Sequence, residues 1–157
     1  MNLLHISSAV VWVDFFVIAL SKVFPMTRAL DAWYQQFGIV AVLSDVLVII
    51  LGILLAQFVR PNADVHTLAT TSVIVQLIHD TLFYFGVIRP IPRGHNAMID
   101  LFKKYSTEGG YKILIADAAM IGGSVYLADY FSSLRTEHVV FAGLLAVYAI
   151  TFILYTK

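Results

Sequence analysis

Cysteine is missing from this chain, and charged residues are scarce. None of the 157 residues is cysteine, which excludes disulfide bonds and thiolate metal sites. Charged residues make up only 13% of the chain, about half of the ~25% typical of soluble domains. Acidic and basic residues balance at 10 each, so the net charge gives no reason to expect a nucleic-acid partner. No Asn-x-Ser/Thr sequon occurs, and the N-terminal residues lack the basic region of a secretory signal peptide. This composition excludes a soluble enzyme.

Long apolar runs are what the chain has instead, with 60% hydrophobic residues and a mean hydropathy of +0.85. A helix needs about 20 mostly apolar residues to cross a bilayer. We predict five such spans, at residues 3–24, 37–59, 68–88, 113–131 and 139–155. Pro25, Pro61 and Pro90 mark the ends of the first three, because proline cannot continue a helix. The predicted fold is an all-α, polytopic single transmembrane domain over residues 1–157. In a four-span alternative, the first helix lies on or beside the membrane.

Lys and Arg are divided unevenly between the two sides that five spans define. One side holds eight of the ten: Lys22, Arg28, Arg89, Arg93, Lys103, Lys104, Lys112 and Lys157. The other side has only Arg60 and Arg135. Because basic loops are retained in the cytoplasm, we expect a cytoplasmic C-terminus and an N-terminus facing the lumen or the exterior.

The two loops on the basic side have apolar residues at helical spacing. In the longer loop these are Met98, Leu101, Phe102 and Tyr105, and in the shorter loop Met26, Leu30, Trp33 and Phe37. This spacing predicts two short amphipathic helices at the membrane interface. They either connect the spans or form a docking surface. The residues that such a surface would offer to anionic headgroups or to a partner are Trp33, Arg89, Arg93, Lys103 and Lys104.

Four of the five spans contain an aspartate near the middle: Asp14, Asp45, Asp80 and Asp117. A carboxylate at the bilayer centre costs about 3 kcal/mol on insertion scales. We therefore predict an intramembrane polar cluster of these acids together with Gln76 and His79. The carboxyls either stabilise the helix bundle through hydrogen bonds or relay protons or cations. The absence of mid-depth Lys or Arg and of a central proline in any span favours the structural role.

His79 and Asp80 superficially resemble a metal-binding pair. The nearest other histidines, His66 and His95, are predicted near the membrane surfaces, so further ligands at helical spacing are missing. We expect His79 to be a buried imidazole bonded to an acid on a neighbouring helix. The chain has no glycine-rich phosphate loop, serine elbow or Cys-His pair. No catalytic residue, metal or cofactor is predicted, and no enzyme activity.

The second and fourth spans match each other when shifted by 72 positions. Gly38 then meets Gly110, Asp45 meets Asp117 and Gly52 meets Ser124. In the second span the small and polar residues share one helix face, and small residues let helices approach closely in lipid. We predict Gly38, Gly52, Gly110 and Ser124 at helix contacts. The pattern also predicts a parallel internal two-fold repeat of units 3–59 and 68–131, with 139–155 as an extra peripheral span.

Several segments resemble a small multi-span membrane protein of large icosahedral double-stranded DNA viruses, the chlorovirus and giant-virus group. They are AWYQQFG at 32–38, LSDVL at 43–47, QLIHDTLFY at 76–84 and PIPRGHNAMIDLFKKY at 90–105. The resemblance covers roughly residues 33–131. It implies a protein of the virion's inner membrane beneath the capsid, and it carries over no enzyme activity and no catalytic residue.

The sequence thus leads to one expected function and one alternative. We expect a structural multi-pass protein that anchors or organises a viral inner membrane beneath the capsid. Its partners would be lipid and other viral membrane or minor capsid proteins, with no nucleic acid and with self-association possible. It would occupy host endomembranes during assembly. The alternative is a small viral proton or cation channel or transporter that uses the intramembrane aspartates.

Overall fold

A computed structural model describes residues 1–24 and 27–156, and this part of the chain folds into helices without any strand. The α-helices are α1 (Leu3–Val23), α2 (Arg28–Phe37), α3 (Ile39–Val59), α4 (Val65–Phe83), α5 (Ala97–Gly109), α6 (Tyr111–Ser132) and α7 (Thr136–Tyr155). A π-helical turn, Tyr84–Ile88, continues α4. Five of these helices are long and apolar enough to cross a membrane, which confirms the five predicted runs. The chain is therefore an integral, multi-pass membrane protein by helix length and composition.

Local side-chain chemistry sets several helix starts. Asn2 begins α1 with a capping box, in which its side chain accepts from the His5 backbone and His5 bonds back to the Asn2 backbone. Thr27, Asp64 and Asn96 cap α2, α4 and α5, each accepting backbone N–H groups of the first turn. These caps supply acceptors for N–H groups that have no partner within the helix.

Two glycines make the sharp junctions between a short helix and a long one. Gly38 joins α2 to α3 with φ at +51°, and Gly110 joins α5 to α6 with φ at +52°. A side chain is strained in this region, whereas glycine adopts it freely. Each junction lets the chain leave a short helix and enter a long one with no intervening loop.

Four long helices form the bundle, and the fifth lies outside it. Helix α1 packs against α3 and α6, and α4 packs against the same two helices, so the four close into a ring. Helix α7 packs mainly on the outer side of α1. The two run parallel, because Ser8 lies at Val139 and Lys22 donates to the Thr156 carbonyl at 3.0 Å.

The first predicted span is an integral part of the bundle. Ile6, Asp14 and Ile18 of α1 have no exposed surface. Helix α1 packs on α3, α6 and α7 and is one of the five helices long and apolar enough to cross a membrane, which favours five spans over the four-span alternative. The large apolar side chains left exposed, such as Leu51 and Phe141, lie on outer faces of the long helices, where lipid is the natural solvent.

Candidate functional site

The four intramembrane aspartates lie at one level of the bundle, beneath the short helices. At 1.5 Å rise per residue, Asp45 and Asp117 are about 9 Å from the near ends of α3 and α6. Asp80 is about 12 Å from the end of the π-turn, and Asp14 is about 13 Å from the end of α1. Only Asp14 is near the middle of its span, so the predicted mid-depth position is corrected for the other three. The apolar runs of the sequence did not show these depths, because the first residues of α3 and α6 are set by the glycine junctions.

Asp45 accepts two hydrogen bonds from a neighbouring helix. Its Oδ2 atom accepts one hydrogen bond from the Trp33 indole and one from the Tyr34 hydroxyl, both at 3.1 Å. Both donors belong to α2, and both are buried, at 5% and 7% exposure. The carboxyl of α3 therefore fixes the short helix to the bundle. Trp33 was predicted as an interfacial contact, but it faces the interior because its indole N–H is committed to Asp45.

Tyr34 and Tyr105 keep their hydroxyl protons in this setting. Burial raises the pKa of Tyr34 well above its ordinary value, and the negative charges of Asp45 and Asp14 add to the effect. Burial likewise raises the pKa of Tyr105, followed by the charges of Asp117 and Asp45. Both hydroxyls therefore stay protonated, and the charges that affect them belong to carboxyls of α1, α3 and α6 close to the short helices.

Asp14 has no protein partner within the described ranges 1–24 and 27–156. The residue is completely buried, and neither carboxyl oxygen has a hydrogen-bond partner. Ser7 and Ser21, which share its predicted polar stripe, bond instead to the backbone carbonyls of Leu3 and Ile18. The polar stripe is present in the sequence, but its serine hydroxyls donate to backbone carbonyls of their own helix and not to Asp14.

Asp80 is bonded along its own helix. Its Oδ1 atom accepts from the Gln76 amide at 2.8 Å and lies 3.1 Å from the His79 Nδ1 atom. The His79 side chain is 46% exposed and stacks on Phe83. The expectation of a buried imidazole bonded to another helix is therefore wrong, because the His79 ring is half-exposed and lies against Asp80, the next residue in the chain. The Oδ2 atom of Asp80 is buried and has no partner among the described residues.

Asp117 and Asp80 line the same groove. Its volume is about 350 Å³, and it lies between α4 with its π-turn, α5 and the start of α6. No described residue donates a hydrogen bond to the Asp117 side chain. A separate small cavity of about 70 Å³ lies beneath α2, bounded by Asp45, Tyr34 and Tyr105. The four acids are thus divided between a closed side with Asp14 and Asp45 and an open side with Asp80 and Asp117.

The two short helices pack on each other as an antiparallel pair. Trp33 of α2 packs on Phe102 of α5 with ring centroids 4.9 Å apart. Nearer the start of α2, the Ala29 N–H donates to the Glu108 carboxylate of α5 at 3.0 Å. A carboxylate at a helix N-terminus is favourable because it accepts an unpaired N–H and opposes the helix dipole.

The basic residues predicted for a partner surface have different surroundings. The Arg89 guanidinium lies 5.8 Å from the centre of the Phe85 ring. Lys103 donates to the Ile91 carbonyl and so holds the loop before α5. Lys104 is more than half exposed and lies 3.8 Å from Glu108. Arg93 is exposed in the same loop. Arg89, Arg93 and Lys104 are therefore the members of the predicted set that are exposed, whereas Lys103 is half-buried and Trp33 is buried.

The predicted helix-packing residues also differ among themselves. A Cβ on Gly52 would lie 3.2 Å from the Ile121 Cδ1 atom and 3.5 Å from the Gln76 Oε1 atom, so Gly52 sits where α3, α4 and α6 meet. Ser124 is fully buried, and Gly38 lies against the Tyr155 hydroxyl. Gly110 is exposed and a Cβ there would meet nothing within 4 Å, so it serves the backbone turn and not packing.

Two features had no usable signal in the sequence. The π-turn at Tyr84–Ile88 precedes Pro90 by two residues, but proline equally ends an ordinary α-helix. The pairing of Asp45 with Trp33 and Tyr34 spans a glycine junction, where helical periodicity is interrupted. In residues 1–24 and 27–156, no group of three or more His, Cys, Asp or Glu side chains is placed to hold a metal ion. No family model, curated protein or solved structure matches the chain.

Proposed function

We propose that this chain is a structural membrane protein that holds a layer of two short helices against one face of a bilayer. The observation that carries the proposal is the pair of hydrogen bonds from Trp33 and Tyr34 to Asp45. A carboxyl oxygen that accepts hydrogen bonds from two buried donors helps to attach the helix that carries them. Leaving one buried donor without its acceptor costs about 1–3 kcal/mol. The intramembrane acid is thereby explained as an attachment point for α2.

An internal two-fold repeat accounts for the arrangement of this layer. Exchanging α1 with α4 and α3 with α6 leaves the packing pairs of the bundle unchanged. The same exchange relates α2 to α5, which lie antiparallel, as two in-plane helices related by an axis along the membrane normal must. The positive-φ glycines at 38 and 110 mark equivalent junctions. Two copies of one unit would thus build a single surface, while α7 remains outside the repeat.

The surface formed by α2 and α5 is suited to the membrane interface. Leu30 and Leu101 are buried on the inner side, whereas Arg28 and Lys104 are exposed. Such helices lie in the headgroup region with the apolar side inward. Because this is also the side with most Lys and Arg, it is assigned to the cytoplasm. Anionic headgroups or an acidic protein partner complement its charge.

In the setting that the sequence resemblance indicates, this surface anchors or organises the inner membrane of a virion. Capsid proteins are made in the cytoplasm, so they meet the cytoplasmic face of a membrane. A partner would therefore contact α2 and α5 and not the short loops at 60–64 and 133–135. The protein itself has too little mass outside the membrane to form a shell, which leaves attachment as its contribution.

Photo-cross-linking in purified virions tests this role. A photoreactive residue at position 104 reports on the α2–α5 surface, and one at position 137 is the matched control on the opposite side. Both sites are accessible, with side-chain exposures of 55% and 72%. We expect cross-links to a capsid or other viral membrane protein from position 104 only. Cross-links to lipid alone from both positions would contradict the anchoring role.

A proton or cation pathway is the second candidate, and Asp14 is the observation that favours it. A fully buried carboxyl without a partner is the arrangement expected of a group that binds and releases a proton. Liposomes that contain the purified protein and an internal pH-sensitive dye test the candidate. Flux above that of empty liposomes, and its loss in Asp14→Asn, would establish a pathway. Flux equal to that of empty liposomes would leave the structural role alone.

A further inference from the structure

The groove between the π-turn and α5 is a cavity that the attachment role does not use. Its volume of about 350 Å³ falls within the usual range of small-molecule sites, about 300–1,000 Å³. Its walls are mostly apolar and aromatic, among them Phe83, Phe102 and Ile113. Asp80 and Asp117 are its two acidic side chains. The groove is thus apolar with acidic groups at a defined place, the combination that orients a ligand with an apolar body and one polar group.

The groove is lined by residues that are exposed on the outside of the helix bundle. Phe85 and Leu114, at its rim, are 55% and 39% exposed. The acids lie about 9–12 Å in from the near ends of their helices. A ligand can therefore enter laterally from the bilayer with its chain in contact with lipid and its polar end at the level of the acids.

The charges around the groove favour a cation as the polar end. No Lys or Arg is among its lining residues in the described part of the chain. The Arg89 guanidinium lies over the ring of Phe85, which lines the groove. His79 and Gln76 are bonded to Asp80 Oδ1, which leaves Asp80 Oδ2 without a partner among the described residues. Two acids with free oxygens and no fixed counter-charge complement an ammonium group.

The π-turn helps to form this space. A π-helical turn displaces the following helix by the extra residue in its hydrogen-bond ring, and such turns occur frequently at functional sites. Here it carries Tyr84, Phe85 and Ile88 to the groove. Gly86 lies in the middle of the turn with open space around its Cα.

We propose that this groove binds a cationic amphiphile, that is, a long-chain primary amine, with the ammonium group between Asp80 and Asp117 and the hydrocarbon chain along the aromatic wall. The ammonium has three N–H donors, which match the Asp80 Oδ2 and Asp117 oxygens. This site is separate from the attachment of α2 through Asp45 and does not depend on a capsid partner.

Binding of dodecylamine, with dodecanol as the uncharged analogue, tests the proposal. Trp33 packs on Phe102, which lines the groove, so its fluorescence reports occupancy in a Trp12→Phe background. We expect saturable binding of the amine by the protein in neutral micelles. Asp117→Asn and Asp80→Asn should each weaken it at least tenfold. Asp129→Asn, which removes an exposed acid at the other end of α6, is the matched control and should bind as the parent does.

A variant that leaves both acids intact provides a second test. Leu114→Phe narrows the groove at its rim and should weaken amine binding without removing a charge. This test stands even if an aspartate variant does not fold. Equal affinity for dodecanol and dodecylamine, or unchanged amine affinity in both Asn variants, would overturn the proposal. So would unchanged binding by Leu114→Phe.

Discussion

Replacing Asp45 with leucine removes the acceptor that joins α2 to α3 while keeping the number and branching of the side-chain heavy atoms. The Trp33 indole and the Tyr34 hydroxyl, 5% and 7% exposed, would then have no partner. An unpaired buried donor costs about 1–3 kcal/mol. Because both bonds share one oxygen, we expect a combined loss of about 3 kcal/mol. Asp45→Asn keeps an acceptor oxygen in place and should cost about 1 kcal/mol or less.

Reversible unfolding in mixed micelles measures these losses, with two optical signals. Far-ultraviolet circular dichroism follows the whole bundle, and Trp33 fluorescence in a Trp12→Phe background follows the attachment of α2. In Asp45→Leu we expect Trp33 to become solvated before the long helices unfold. Asp129→Leu controls for removal of an acidic group, since Asp129 is exposed.

A double-mutant cycle decides whether the bond itself is responsible. Tyr34→Phe should destabilise the parent by about 1 kcal/mol and should be neutral or stabilising in the Asp45→Leu background, where the hydroxyl has nothing to bond. The same cost for Tyr34→Phe in both backgrounds would show that the two residues are not coupled. An Asp45→Leu variant as stable as Asp45→Asn would refute the attachment mechanism itself.

Four further outcomes follow from the same structure. Cysteines at positions 96 and 156 should label from one side of the membrane and a cysteine at 62 from the other; opposite labelling of 96 and 156 would contradict five spans. Gly52→Leu should destabilise the bundle by about 2 kcal/mol through overpacking against Ile121. The lipid-facing change Leu51→Ala should cost under about 0.5 kcal/mol. If unfolding in micelles shows Leu51→Ala as the more destabilising change, the packing of Gly52 on Ile121 is refuted. Glu108→Gln should cost about 0.5–1 kcal/mol, seen as weaker hydrogen-exchange protection in the first turn of α2, and Lys104→Gln is its control. The pKa of Tyr34 is raised above its ordinary 10.0, so this hydroxyl ionises in the unfolded chain at a lower pH than in the folded one. The bundle should therefore lose stability as pH rises above about 10. Tyr34→Phe should reduce that loss of stability, and an ultraviolet titration follows the ionisation of the tyrosines.

The long helices were predictable because lipid exposure and burial both demand apolar side chains. A run such as 39–59 is apolar on every face, so length and hydropathy identify it without any knowledge of its neighbours. The short helices between the spans were also predictable as helices, since their apolar residues recur at helical spacing. Because each long helix is apolar on every face, the apolar runs do not indicate which face of a helix packs against which neighbour.

The partners of the polar residues were much less predictable. Sequence patterns group Ser7, Asp14 and Ser21 on one face, but hydroxyls in apolar surroundings bond to their own helix backbone. The partner of Asp45 lies beyond the Gly38 junction, where φ of +51° turns the chain and ends the periodicity. A pattern that assumes one continuous helix cannot cross such a turn. Prediction of the site therefore failed where the backbone changes direction.

The proposed repeat explains why the two halves of the site differ. Shifting by 72 positions relates Trp33 to Tyr105 and Tyr34 to Ser106. In the first half the long tyrosine side chain reaches the acid below it, and Asp45 Oδ2 accepts from both Tyr34 and Trp33. In the second half the serine is too short to do so, and its hydroxyl bonds to the Lys103 carbonyl instead. Asp117 consequently faces an open groove. Under the proposed repeat, the differences between Trp33 and Tyr105 and between Tyr34 and Ser106 separate the acid that holds α2 from the acid that lines the groove.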